Sequence, residues 1–155
     1  MIPTTGRLLG IDLGSRRIGV AVTDSGQMLA TGVTALTRSG DRAADHRALA
    51  ALVAQYDAVG VVVGLPISLS GHAGPAAQSV LDEVAEIRAS VGVEVATEDE
   101  RLTTRQAART LRTGGRHGRA QRRVIDQSAA AILLQTWVER RSGYRLSVSQ
   151  DGCEH

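Results

Sequence analysis

Acidic residues at three places in this 155-residue chain could do chemistry together. Asp12 interrupts the apolar run Leu8 to Leu13. Glu98-Asp99-Glu100 is a short acidic cluster, and Asp126 stands just ahead of Ser128-Ala129-Ala130-Ala131. Oxygen donors of this kind suit the hard divalent cations Mg²⁺ and Mn²⁺. Two such ions about 3.5–4 Å apart can activate a water and stabilise the leaving oxygen in phosphodiester cleavage. Each carboxylate also has a purely structural reading. Asp12 could cap a turn, Asp126 could favour a helix N-terminus, and Glu98 to Glu100 could be an exposed strand end with Glu100 paired to Arg101. The histidines His46, His72, His117 and His155 are scattered without zinc spacing and read as surface residues. No Ser–His–Asp or Cys–His arrangement is legible.

The elements that must position these acids follow from periodicity. Leu9, Ile11 and Leu13 alternate on one strand, and Ile18, Val20 and Val22 on the next. With Gly14 to Arg17 as the loop, Leu13 pairs with Ile18 and Asp12 sits opposite Gly19. The Asp12 face then carries Gly10, Gly19 and Ala21, all small, which leaves room over the carboxylate. A third strand fits Met28 to Leu36. A helix runs from Ser39-Gly40-Asp41 to about Tyr56, burying Leu49, Leu52, Val53 and Tyr56. The continuous apolar run from Ala58 to Gly64 reads as a central strand covered on both faces. After a loop from Gly64 to Gly74, Pro75 opens a helix to about Ser90 with Val80, Val84 and Ile87 inward, closed by Gly92. Val93 to Glu98 is a fifth strand. Thr103 or Thr104 caps a helix ending at Gly114-Gly115. A last helix spans about Arg122 to Arg141, with Ile125, Ile132, Leu133 and Trp137 available for burial. This order predicts an α/β fold: a mixed five-stranded sheet with helices on both faces. Residues 1–141 form one domain, and 142–155 is a polar tail expected to be disordered. The C-terminal ends of the parallel strands share one edge, where the three acidic sites could gather.

Charge points to the partner. The net charge is only +2, but all 18 basic residues are arginine, and Arg101 to Arg123 holds eight of them without a single Asp or Glu. Such a block resembles an electrostatic footprint for a phosphate backbone, with a solvated helix face as the plainer alternative. Tyr56, Trp137 and Tyr144 are the whole aromatic complement, too few for a reader that stacks single-stranded bases. One cysteine, Cys153, excludes a disulfide framework and a cysteine metal site. No run is long enough to span a bilayer, so no membrane partner is expected, and a reducing cytoplasm is the expected location.

Four motifs in order carry a resemblance over about residues 7 to 141. They are Gly10-Ile11-Asp12-Leu13-Gly14 with Arg17-Ile18-Gly19-Val20-Ala21-Val22; Val63-Gly64-Leu65-Pro66 with Gly71 and Gly74-Pro75; Asp99-Glu100-Arg101-Leu102-Thr103-Thr104; and Asp126 followed by Ala129-Ala130 and Ile132-Leu133-Leu134-Gln135. The chain resembles the YqgF (RuvX) family of pre-16S rRNA nucleases and Holliday-junction-resolvase-like proteins, which have an RNase H-like fold. The resemblance implies a hydrolase, an Mg²⁺- or Mn²⁺-dependent nuclease with Asp12, Glu100 and Asp126 as catalytic residues. Asp12, an acid of the Asp99-Glu100 pair, and Asp126 would ligate the metal, with Glu100 favoured because the motif centres on Asp-Glu-Arg. Glu98 lies outside that motif and takes no role. The nucleic-acid contacts expected are Arg16, Arg17, Ser68, His72, Arg101, Arg116, Arg119, Arg122 and Arg123. Family members often have a polar or acidic residue where Ala73 stands and frequently Asn at Ser68, so this chain departs from the pattern in that loop.

Processing of the 5′ end of pre-16S rRNA in ribosome biogenesis is the leading expectation. Resolution of a Holliday junction in recombination and repair is the alternative, and a non-catalytic nucleic-acid-binding protein the lesser one. The expected substrate is accordingly structured RNA or branched DNA, and the expected state a monomer or weak homodimer. Gly-Ile-Asp-Leu-Gly also opens actin-like ATPases and sugar kinases, but those close two such domains around a nucleotide, and 155 residues hold one.

Overall fold

The computed structural model of the chain describes residues 1–65, 75–99 and 128–152, with side chains omitted at 75–77 and 143–152. Its elements are β1 (Leu8–Leu13), β2 (Arg17–Thr23), β3 (Ala30–Thr37), α1 (Arg42–Gln55), β4 (Gly60–Leu65), α2 (Pro75–Val91), β5 (Glu94–Asp99) and, last, α3 (Ala129–Gly152). The five strands form one sheet in the order β3-β2-β1-β4-β5. β1 pairs antiparallel with β2, and β2 with β3, whereas β4 lies parallel to both β1 and β5. The mixed sheet read from the sequence is therefore the one observed.

Strand alternation divides the core in two. Leu9 and Ile11 of β1, Ile18 and Val20 of β2, Val61 and Val63 of β4 and Val95 of β5 meet Leu49 and Val53 of α1 and Val84 and Ile87 of α2. On the other face Leu8, Ala21, Ala30 and Val62 meet Ala130, Ala131, Leu134 and Val138 of α3. β4 is buried along nearly its whole length, as a strand covered on both faces must be. The hairpin has the expected register, Leu13 opposite Ile18 and Asp12 opposite Gly19.

Several boundaries differ, each for a local reason. β3 begins at Ala30 rather than Met28 because the main-chain N–H groups of Met28 and Leu29 donate to Asp24 Oδ1, at 2.8 and 2.9 Å, and so shape a turn. α1 starts one residue after Asp41, whose side chain accepts from the Ala43 N–H at 3.0 Å. Gly92, at φ +70°, closes α2. α3 starts at Ala129, later than the expected Arg122, with the Ser128 hydroxyl accepting from the Ala131 N–H at 3.2 Å. Its backbone stays helical past the expected end at Arg141, through to Gly152; no proline stands in that stretch to stop it. The loop from 66 to 74, the helix expected between Thr103 and Gly115, and Ile125 lie outside the described residues.

α3 can approach the sheet only because Gly10 has no side chain. A Cβ there would stand 2.7 Å from Leu134 Cβ and 3.0 Å from the Ala130 carbonyl oxygen. The second contact is backbone and cannot be relieved by a rotamer change. Gly10→Ala should therefore destabilise the fold by about 1–3 kcal/mol, read as a lower urea midpoint at unchanged m.

Candidate active site

Asp12 is the penultimate residue of β1, on the face that α3 covers. Gly19 stands opposite it on β2; a Cβ on Gly19 would be 3.7 Å from Asp12 Cβ and 3.5 Å from Ala130 Cβ. The carboxylate borders an open cleft of about 250 Å³ whose floor continues over Gly19, Gly32 and Ala35 to the N-terminal turn of α3. The sequence expectation of space over Gly10, Gly19 and Ala21 needs correction. Leu134 and Ala130 fill the place over Gly10, and Ala21 is buried beneath α3. The open ground runs sideways from Gly19 onto β3.

Among the described residues nothing hydrogen-bonds to or ion-pairs with the Asp12 carboxylate. The turn closes without it: the Gly14 N–H donates to the Arg17 and Asp12 main-chain carbonyls, at 3.0 and 3.2 Å. The turn-capping reading of Asp12 thus lacks its hydrogen bond. Arg16 and Arg17 are exposed in this turn, and alternation along β2 puts Arg17 on the same face as Gly19.

The acidic cluster divides. Ile11 pairs with Val63, and Gly64 pairs with Glu98, so Asp12, Gly64 and Glu98 fall on one row across the sheet. At a strand spacing of about 4.8 Å, Glu98 is roughly 10 Å from Asp12. Glu98 is 3% exposed and ion-paired with Arg140 of α3. Burial pushes its carboxyl above the usual range, against the pull of Arg140. The exposed-strand-end reading fails for this residue. Its parity with Ala96, which packs under α3, was the signal that could have placed it inward. Asp99 falls on the opposite side of β5, with Val95 and Thr97. Glu100, Asp126, Ser68, His72, Arg101, Arg116, Arg119, Arg122 and Arg123 lie outside the described residues, and no metal-sized group of three His, Cys, Asp or Glu occurs among those described.

Behind the hairpin is a charged network that the sequence did not suggest. His46, expected at the surface, is 2% exposed. Its Nε2 lies 2.8 Å from Glu83 Oε2, and its Nδ1 lies 3.8 Å from Glu86. Glu83 also accepts two bonds from Arg38, at 2.7 and 3.0 Å, and Arg42 approaches at 4.0 Å. Burial alone would push the Glu83 carboxyl up; the bonds from Arg38 and His46 and the charges of Arg38 and Arg42 outweigh it and hold it below the usual range.

The mixed sheet in this order with helices on both faces is an RNase H-like fold. Thermus thermophilus RuvC in complex with a Holliday junction substrate superposes with a TM-score of 0.60 at 15% identity, covering 89% of this chain and 96% of RuvC. A second T. thermophilus RuvC structure gives 0.55 at 17% identity, covering 88% and 96%. The family described as "RuvX: Holliday junction resolvase" matches residues 6–140, and the chain belongs to it. A relative from Rhodococcus opacus is 48% identical over 144 residues, 90% of this chain and 81% of the relative. One from Nocardia farcinica is 44% identical over 154 residues, 96% and 86% of the two chains. Both are named as pre-16S rRNA nucleases.

The depressed Glu83 value sets a pH signature. A carboxylate held below its unfolded value adds stability above the ordinary glutamate range and loses it as pH falls through the lowered folded value. Glu83→Gln should therefore be less stable than wild type at pH 7, and the gap should narrow as denaturant titrations are repeated below about pH 4.5.

Proposed function

We propose that this chain is an Mg²⁺- or Mn²⁺-dependent endonuclease that processes the 5′ end of pre-16S rRNA in the cytoplasm, with residues 1–141 as the nuclease domain. The observation that carries the proposal is the Asp12 carboxylate, which borders an open cleft with no protein partner among the described residues. An oxygen donor facing a cleft suits a hard cation. In this reading Asp12, Glu100 and Asp126 hold the metal; the place of Asp99 on the far side of β5 favours Glu100 over Asp99 as the second ligand. When bound, such ions polarise the phosphoryl group and lower the pKa of an attacking water. The chain's own part is to present the phosphate. Arg16 and Arg17 flank Asp12 on the exposed turn, and Arg101, Arg116, Arg119, Arg122 and Arg123 supply further cations. Ser68 and His72 are assigned to the loop that orients the strand.

The rRNA precursor is preferred as substrate because the relatives at 44–48% identity carry that name over most of the chain. The junction reading is kept alive by the family's description. Purified protein incubated with a pre-16S leader transcript and with a four-way DNA junction, each in Mg²⁺ and Mn²⁺, separates the two. Cleavage of the transcript at the mature 5′ end with an intact junction is expected. Cleavage of the junction alone would reverse the assignment, and cleavage of neither would favour a binding protein.

Asp12→Asn keeps the side chain's shape and removes its charge. Metal-dependent cleavage should fall by at least the ~10²-fold seen when support around a metal is removed, while nucleic-acid binding and metal-free stability are retained. Cleavage assays and thermal melts, in Mg²⁺ and in chelator, read both. For the basic block, replacing Arg116, Arg119, Arg122 and Arg123 by Ala should flatten the log–log salt dependence of RNA binding by roughly 0.7–0.9 for each phosphate that is no longer neutralised. An unchanged slope would move the binding face elsewhere.

A further inference from the structure

We propose that Arg38 is a positioning residue for the active-site hairpin, a clamp that ties the turn after Asp12 to helix α2. The inference rests on the reading of Asp12 as a metal ligand. Arg38 follows the last residue of β3 and grips the neighbouring β1–β2 turn at two points. Its main-chain N–H donates to the Arg16 carbonyl at 2.8 Å, and its Nε to the Gly14 carbonyl at 3.0 Å. The remaining two nitrogens reach the other way, to both oxygens of Glu83 on α2. Arg38 and Glu83 side chains are 19% and 8% exposed, so the fork is held largely out of water. Glu83 is fixed in turn by buried His46. Ser39, the next residue, is pinned through its N–H and hydroxyl to Asp45 Oδ1, at 3.1 and 2.8 Å.

The turn needs such a clamp. Ser15, Arg16 and Arg17 are exposed, and beyond the strand ladder the turn is closed within the hairpin by the bonds of the Gly14 N–H. Exposed turns of this kind are ordinarily the mobile parts of a fold. Yet Asp12 lies only two residues before Gly14, and a ligand to a catalytic metal must be held to within about 0.5 Å. Arginine is the residue type that fits: its planar fork serves a carbonyl through Nε and a carboxylate through both terminal nitrogens at once. A lysine ammonium at the same place could meet Glu83 but not both partners in that geometry. Arg38 therefore acts through the turn and does not itself touch the reacting phosphate.

Arg38→Lys keeps the charge opposite Glu83 and removes the fork, so it tests the geometry rather than the ion pair. Amide hydrogen exchange in the metal-free protein is the first readout. The Gly14 amide should exchange about tenfold faster or more, while core amides such as Leu9 and Val61 keep wild-type protection. The second readout is kcat on the pre-16S leader transcript, which should fall by about 10²-fold, the cost of roughly 1 Å of misplacement. Unchanged exchange at Gly14, or equal acceleration at Gly14 and in the core, would overturn the clamp. Faster exchange at Gly14 with unchanged kcat would overturn its positioning role. Asp12→Asn assayed in parallel keeps the two readings apart: if that variant cleaves normally, the metal reading has failed, and the exchange data still decide whether Arg38 holds the turn. Should Arg38→Lys not fold, Glu83→Gln carries the same test: because this variant is also less stable overall, Gly14 exchange should rise beyond the uniform acceleration of core amides such as Leu9 and Val61, and a rise at Gly14 no greater than theirs would overturn the clamp.

Discussion

The close seat of α3 on the sheet is the contact on which the rest of this structure depends. Gly10 leaves a gap in the centre of β1, and Ala130 and Leu134 fill it. A helix seated this low brings its first turn level with the end of β1, so that Ala130 stands beside Gly19 and the N-terminus of α3 walls the Asp12 cleft. Further along, the same helix reaches across the sheet. Gln135 accepts from the Ala30 N–H at 2.8 Å and donates to the Met28 carbonyl at 3.1 Å, while Arg140 pairs with Glu98 on β5. Arg141 donates to the Ile2 and Pro3 carbonyls. One helix thus joins both edges of the sheet and the N-terminal segment, and the wall of the Asp12 cleft is a by-product of that packing.

The described carboxylates sort by what compensates them. Asp24 accepts from two main-chain N–H groups and is held below the usual range chiefly by the one from Leu29. Asp41 caps α1, Asp45 holds Ser39, and Glu83 takes bonds from Arg38 and His46. Glu98, buried and pushed up, still has Arg140. Asp12 has no such partner among the described residues and faces the cleft. An acid that does nothing for the turn beside it, placed where space remains, is what a catalytic cation site requires. Asp57 has no side-chain bond among the described residues either, but it is exposed to water, whereas Asp12 is half-buried at the cleft.

What could be read from the sequence was whatever depends on near neighbours. A four-residue loop and period-two alternation set the Asp12–Gly19 register, and the valine run from Val61 to Val63 announced a strand buried on both faces. What could not be read depends on partners far along the chain. His46 meets Glu83 across 37 positions and Glu98 meets Arg140 across 42, so neither partner leaves a local trace; only the parity of Glu98 with Ala96 marks its inward face. The space over Asp12 was foreseen from small residues on its own hairpin. Which of those residues α3 would cover depends on a helix more than a hundred positions away, and Gly32 of β3, part of the floor, carries no signal of its own.

The proposed function places a divalent cation on Asp12. Paramagnetic broadening by Mn²⁺ of assigned amide resonances locates that cation without any assay of cleavage. Substoichiometric Mn²⁺ should first broaden Asp12, Gly19 and Ala130, and excess Mg²⁺ should reverse the effect. Early broadening at residues remote from Asp12, with these three signals left sharp, would contradict it.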